Sequence, residues 1–270
     1  MKRDWKLICV DVDGTLLDDT KKVPKEAADS LRAAAAAGVW IALVSGRMPA
    51  ALAPVEKELG ISCIKACCAG TYILMDGQCL SSVYLPAGSM RAIGALGAKR
   101  GIPLWIYREE DWFVTGEDAL VREESAIIGR EPKIASVEEL ARAWDLAGTG
   151  PNKLLFGADP KAIGEIGQEL KSGSYGEVEA ARSADMYLEI YPKGMNKGRA
   201  LNIICEKLNI DSSQAIAFGD QELDIPMIEA AGLGVAMGNA IEELKEKADY
   251  VTGTNNEAGI AQALGRYLNP

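Results

Sequence analysis

The 270-residue chain is 48% hydrophobic, carries 29 basic against 39 acidic side chains for a net charge of −10, and contains no histidine. It is long enough to bury one large core or two modest ones, and its acidity argues against nucleic acid or an anionic membrane surface as a partner. The lack of histidine excludes Ser-His-Asp and Cys-His catalysis and any His-ligated metal, leaving carboxylates, Lys, Tyr and Cys for proton work and oxygen ligands for a cation.

The opening "MKRDWKL" has neither an apolar signal segment nor a small-residue cleavage site, so the cytoplasm is the expected compartment. "KLICVD" then reads as a buried strand that ends on Asp11 and Asp13, followed by Gly14 and Thr15. Alternate residues of an extended chain share a face, and two unit charges about 4 Å apart repel by roughly 4 kcal/mol at a protein surface. Such a pair needs a cation, a shared proton or a turn that separates it, and Asp-Gly is also ordinary turn punctuation. "PKEAADSLRAAAAAG" predicts a helix with Pro24 in its first turn and Gly38 past its end. "VWIALVSG" predicts a second buried strand closing on Ser45 and Gly46, and Arg32 and Gly38 interrupt the surrounding apolar run too early for a membrane span.

The stretch beginning "YILMDGQCLSSVYLP", with hairpin punctuation at Asp76 and Gly77, opens a middle of short strands, two or three helices and acidic loops. Its aromatics Trp105, Tyr107 and Trp112 are expected in the core of that middle rather than on a ligand. The strand and helix alternation resumes with "NKGRALNIICEKLNI" as helix, "QAIAFGD" as strand, "ELDIPMIEAAG" as helix and "LGVAMG" as strand, ending in two further helices. Alternation at both ends predicts an α/β fold, a doubly wound Rossmann-like parallel sheet, with an inserted α+β domain. The inserted domain is placed at 84–189, with 1–83 and 190–270 as the core and hinges near Pro86 and Pro192. Six cysteines lie mostly in apolar runs without metal-ligand spacing and read as reduced thiols.

Four apolar strands thus end in polar residues: Asp11 and Asp13, Ser45 and Gly46, the "CCAG" turn, and Asp220 and Asp224 in "FGDQELD". In open α/β sheets those ends border the ligand crevice, so the signals converge. Each is weak alone. Ser45 by itself reads as a strand-ending turn residue, Lys197 as a solvated helix-start lysine, and Asp224 as a first-turn acid complementing a helix dipole.

Together and in order, "DVDGT", Ser45, "PKGMNKGRAL" around Lys197 and "GDQELD" resemble the four motifs of the haloacid dehalogenase-like phosphatases. The inserted middle resembles that of the Cof-type branch with its type IIB cap. The resemblance implies Asp11 as nucleophile, forming an aspartyl-phosphate, and Asp13 as the acid that protonates the leaving oxygen and then activates water. It implies Thr15, Ser45, Gly46 and Lys197 around the phosphoryl group, and Mg²⁺ held by Asp11, Asp220 and the backbone carbonyl of Asp13, with Asp224 behind them. The expected reaction is hydrolysis of a small phosphomonoester, a sugar phosphate or phosphorylated cofactor, by a monomer or weak homodimer. A phosphosugar mutase and a phosphate-binding protein without turnover are the alternatives. Two positions depart from the branch, which usually carries Asn where this chain has Ala69 and Leu223.

Overall fold

The computed structural model describes residues 4–173 and 175–268. In chain order the strands of the first stretch are β1 (Leu7–Val10), β2 (Trp40–Val44), β3 (Ile64–Cys67), β4 (Tyr72–Met75) and β5 (Gln78–Ser82), with helices α1 (Lys25–Ala36) and α2 (Pro49–Leu59) between them. The middle contains α3 (Ala87–Ala98), β6 (Leu104–Arg108), β7 (Asp111–Val114), α4 (Ala119–Ile128), β8 (Lys133–Ile134), α5 (Val137–Ala147), β9 (Lys153–Gly157), α6 (Pro160–Leu170), β10 (Val178–Ala184) and β11 (Tyr187–Pro192). The last stretch adds α7 (Lys197–Leu208), β12 (Ala215–Gly219), α8 (Ile225–Ala230), β13 (Leu233–Ala236), α9 (Glu242–Lys247), β14 (Tyr250–Val251) and α10 (Gly259–Tyr267). The described residues divide into two compact units, one within 4–47, 52–81 and 196–268, the other within 48–51, 82–173 and 175–195.

The first unit is built on an eight-stranded sheet in the order β14-β13-β12-β1-β2-β3-β4-β5. From β14 to β3 neighbouring strands run parallel, and their sequences show why. Strand β1, "LICV", is fully buried along its length, and in β12 "AIAFG" no residue has an exposed face, as a parallel strand covered on both sides requires. Helix α1 buries Ala27, Ala28, Leu31 and Ala34, one face at helical spacing, and packs on α10. The hairpin read at Asp76 and Gly77 forms, with both residues at positive φ; β3 and β4 pair antiparallel, and β4 and β5 extend this sheet at its edge. Leaving β1, the chain goes first to β2 on one side and returns much later to β12 on the other, so the carboxyl ends of β1 and β12 lie side by side. That is the switch point at which doubly wound sheets place their ligands.

The second unit has a six-stranded sheet, order β10-β11-β9-β6-β7-β8, and four helices rather than two or three. One face packs beneath helices through Leu104, Ile106, Leu154, Phe156, Leu188 and Ile190, which join residues of α3, α5 and α6 in a single core. Trp105, Tyr107 and Trp112 are buried but lie outside that core, because strand residues alternate and these three point to the other face. Among the described residues no helix is long and apolar enough to cross a membrane.

Candidate active site

The site is assembled at the carboxyl ends of β1 and β12. The Asp11 amide donates to the Phe218 carbonyl at 3.1 Å, carrying the β1–β12 ladder one step past its last paired residues and setting Asp11 beside the strand that leads to Asp220. Beyond Asp11 the chain turns at Gly14, whose φ is +84°. A Cβ there would stand 2.4 Å from Asp220 Oδ2, so both the backbone conformation and the close approach of the carboxylate require glycine. The side chain of Asn239 closes the turn, donating to the Gly14 carbonyl at 2.8 Å.

Lys197 opens α7, which is capped by the Asn196 side chain on the Arg199 amide. Its ammonium is buried and donates to Asp11 Oδ1 at 2.5 Å and to Asp224 Oδ1. The second oxygen of Asp224 accepts the backbone N–H groups of Asp220 and Gln221, each at 3.0 Å, which anchors the loop after β12. Thr15, expected around the phosphoryl group, donates its hydroxyl to Asp220 Oδ1 at 2.8 Å. Asp11, Asp220 and Asp224 bring carboxylate oxygens within 4.8 Å of one another.

Ser45 is buried at the end of β2, its hydroxyl accepting the Arg47 amide at 3.2 Å, with half-buried Gly46 between them. Asp13 lies apart from the three clustered acids. Arg47 grips it as a fork, Nε to Oδ2 at 2.8 Å and Nη2 to Oδ1 at 2.7 Å, with Lys21 at 3.3 Å. Arg47, Lys21, Asn239 and Gln221 were not read from the sequence as site residues. Arg47 alone had a positional signal, two residues beyond Ser45.

The electrostatics follow from burial and count. Burial, then repulsion by Asp224, push the Asp11 carboxyl well above its ordinary value against the pull of Lys197. Burial likewise raises Asp220, partly offset by the Thr15 hydroxyl. Burial works against the charge of Lys197, yet Asp11 and Asp224 outweigh it and hold the ammonium charged. Burial would also raise Asp13, but the hydrogen bonds and charge of Arg47, with Lys21, reverse the sign and keep that carboxyl below its usual range.

Ala69 and Cys68, the turn after β3, are tied to the same loop: the Ala69 amide donates to the Ser45 carbonyl at 2.8 Å and that of Cys68 to the Arg47 carbonyl at 2.9 Å. The backbone holds Cys68, Ala69 and Gly70 in the left-handed region at φ of +51°, +55° and +92°. Asn is enriched there and Ala is not. Replacing Ala69 by Gly is therefore expected to stabilise the fold by about 0.5–1 kcal/mol, the relief of left-handed strain less the added chain entropy, measured by urea unfolding. An unchanged or lower midpoint would show that the strain is absorbed elsewhere.

Residues 8–264 match the family described as haloacid dehalogenase-like hydrolase. Among curated relatives, the chain is 29% identical over 267 residues to the 5-amino-6-(5-phospho-D-ribitylamino)uracil phosphatase YcsE of Bacillus subtilis, covering 98% of this chain and 96% of that one. It is 26% identical over 268 residues to the HMP-PP phosphatase of Yersinia pseudotuberculosis, with the same shares covered. A solved haloacid dehalogenase-like hydrolase from Bacteroides thetaiotaomicron superposes with a TM-score of 0.85 at 26% identity, over 97% of this chain and 99% of that one. An α/β enzyme with carboxylates at its switch point is thus placed in a definite class. The chain belongs to the haloacid dehalogenase-like hydrolases, in their phosphatase branch, and is a phosphoric monoester hydrolase.

Proposed function

We propose that the protein is a Mg²⁺-dependent phosphatase of small phosphorylated metabolites, working through an aspartyl-phosphate on Asp11. The observation that supports this reading most is Lys197 bridging Asp11 and Asp224 beside Asp220, a buried group of three acids against one ammonium. The residues fit a divalent ion: the donors are hard oxygens, and the cluster carries two negative charges more than its own lysine offsets. Asp11 and Asp220, with the Asp13 backbone carbonyl, would hold it. Bound there, Mg²⁺ would neutralise charge on the phosphoryl oxygens and on the nucleophile.

In this reading an oxygen of Asp11 attacks phosphorus, the ester oxygen leaves as an alcohol, and water then releases inorganic phosphate and restores the carboxylate. Lys197 orients Asp11, while Ser45, Gly46 and Thr15 are assigned to the phosphoryl oxygens. Asp13 supplies and recovers the proton. Arg47 holds it ionised in the arrangement described here, ready to accept a proton from water, and its service as an acid requires that the fork loosen. The first unit is assigned as the catalytic core and the second as its inserted cap, which runs past the expected 84–189 because β11 (Tyr187–Pro192) belongs whole to the second sheet.

The test is release of inorganic phosphate from a panel of sugar phosphates and phosphorylated cofactors. Release is expected with Mg²⁺, loss of it with EDTA, and recovery when Mg²⁺ is returned. Undiminished turnover in excess EDTA would remove the metal from the proposal, and isomerisation of a sugar phosphate without net release would favour the mutase.

A further inference from the structure

In the first sheet β12 separates β13 from β1, yet the turn that follows β13 bonds to the loops beyond both. The Met237 amide donates to the Gly219 carbonyl and the Ile241 amide to the Asp220 carbonyl, each at 3.0 Å. Between these two anchors Asn239 reaches past the loop of β12 and donates its side-chain N–H to the Gly14 carbonyl at 2.8 Å. The turn that carries Asn239 is itself firmly seated. The Ala240 amide closes it on the Met237 carbonyl at 2.9 Å, and the Gly238 amide ties it to the Gly253 carbonyl at 3.0 Å. At Gly238 a Cβ would stand 2.9 Å from the Thr254 nitrogen, so the loops after β13 and β14 pass in direct contact.

Asn239 also accepts. Its Oδ1 takes the Asn255 amide at 3.0 Å, and the buried Asn255 sends its own side-chain N–H to the Leu17 carbonyl at 2.9 Å. The two asparagines therefore hold the stretch from Gly14 to Leu17 at both ends. Within it the Leu16 amide bonds the carbonyls of Asp11 and Val12 at 3.2 and 3.1 Å, and the Leu17 amide bonds that of Val12 at 2.9 Å. The partners fix what position 239 must be. A carbonyl only accepts and a backbone N–H only donates, so the side chain between them has to do both. An aspartate there would keep the bond from Asn255 and set a carboxylate oxygen against the Gly14 carbonyl.

We propose that Asn239, braced by Asn255, is a positioning residue: it latches the turn that carries Asp11 and Asp13 to the same 237–241 turn that holds Asp220, and so fixes the three acids relative to one another. The inference rests on the phosphatase reading for its effect on turnover, but not for its effect on the turn. Little slack is available at this place, because Gly14 already lies against the Asp220 carboxylate. A displacement of about 1 Å at reacting groups can lower a rate by about 10²-fold. Asn256 supplies a matched control. It is also exposed and also makes two hydrogen bonds, accepting the Asp19 amide at 3.2 Å and donating to Asp19 Oδ2 at 3.0 Å, but it grips neither Gly14 nor Leu17.

The experiment compares wild type with Asn239→Ala, Asn239→Asp and Asn256→Ala by hydrogen exchange at the Leu16 and Leu17 amides and by steady-state kinetics on p-nitrophenyl phosphate with Mg²⁺. In Asn239→Ala those amides are expected to exchange about tenfold faster, and kcat to fall about tenfold with KM held within about twofold. Asn239→Asp should lose at least as much, since the missing group is the donor. Asn256→Ala should stay within about twofold of wild type in both measurements. Exchange in Asn239→Ala equal to wild type would overturn the proposal, as would a normal kcat in Asn239→Asp or equal losses of kcat in Asn239→Ala and Asn256→Ala. If the wild type releases no phosphate, the phosphatase reading fails, and the exchange of Leu16 and Leu17 then decides for or against the latch by itself.

Discussion

Asp11→Asn is expected to lower phosphate release by on the order of 10⁴-fold or more while leaving the protein folded. An amide of the same size keeps the end of β1 and can still accept a hydrogen bond from Lys197, but its oxygen is too weak a nucleophile to displace an alcohol from phosphorus. The fold has reason to tolerate the change. Asp11 is buried and repelled by Asp224 and Asp220, and its replacement leaves Lys197 paired with Asp224. The metal-free variant should therefore melt at or above the wild-type temperature. Steady-state kinetics with p-nitrophenyl phosphate, alongside thermal melts, checks both halves. Residual activity within a hundredfold of wild type would mean that water attacks phosphorus directly and that Asp11 is not the nucleophile.

Lys197→Met should be the most damaging of the single changes considered for stability, and should lower turnover as well. Methionine nearly fills the same space, but two buried carboxylates, Asp11 and Asp224, lose the ammonium that both touch. Removing one partner from a buried ion pair costs about 3–5 kcal/mol, which in a chain of this size lowers Tm by roughly 10 °C. The loss depends on pH in a direction that can be worked out. Asp11 is already held above its ordinary value by burial and by Asp224, and it rises further without the lysine. A carboxyl whose folded-state pKa lies above its unfolded one favours the folded state below the unfolded pKa, and that contribution is lost as pH rises through the folded one. The deficit relative to wild type should accordingly be smaller at pH 5 than at pH 8, measured by urea unfolding at both. A deficit equal at the two pH values would show that the carboxylates escape to water when the lysine is removed.

The contrast between Asp11 and Asp13 separates what was legible in the chain from what was not. Asp11 and Asp13 in "DVDGT", Ser45, Asp220 and Asp224 stand at the ends of apolar strands in the sequence, and their roles, with that of Lys197, came from the resemblance of the four motifs to the family. Local periodicity also determined the parallel strands, since a strand buried on both faces must be apolar at every position, as "LICV" is and "AIAFG" nearly is. Two residues apart, however, Asp11 and Asp13 have opposite electrostatics, one raised and one lowered, because the partners that decide this come from elsewhere in the chain: Lys197 and Asp224 for the first, Arg47 and Lys21 for the second.

The same holds in the second unit. The sequence reading placed Trp105, Tyr107 and Trp112 in the core of the middle, whereas they are buried on the sheet face opposite the helix-packed core. Which face the helices would cover was not visible, because that depends on how β9 and β11 pair with β6 and on where α3, α5 and α6 then land. Residue type and spacing, which act over a few positions, determined the elements and the chemical candidates. Burial, pairing and charge state depend on contacts between residues far apart in sequence, so the tertiary structure alone decided that Lys197 would be shared between Asp11 and Asp224, that Thr15 would serve Asp220, and that an aromatic face would lie opposite an ordinary core.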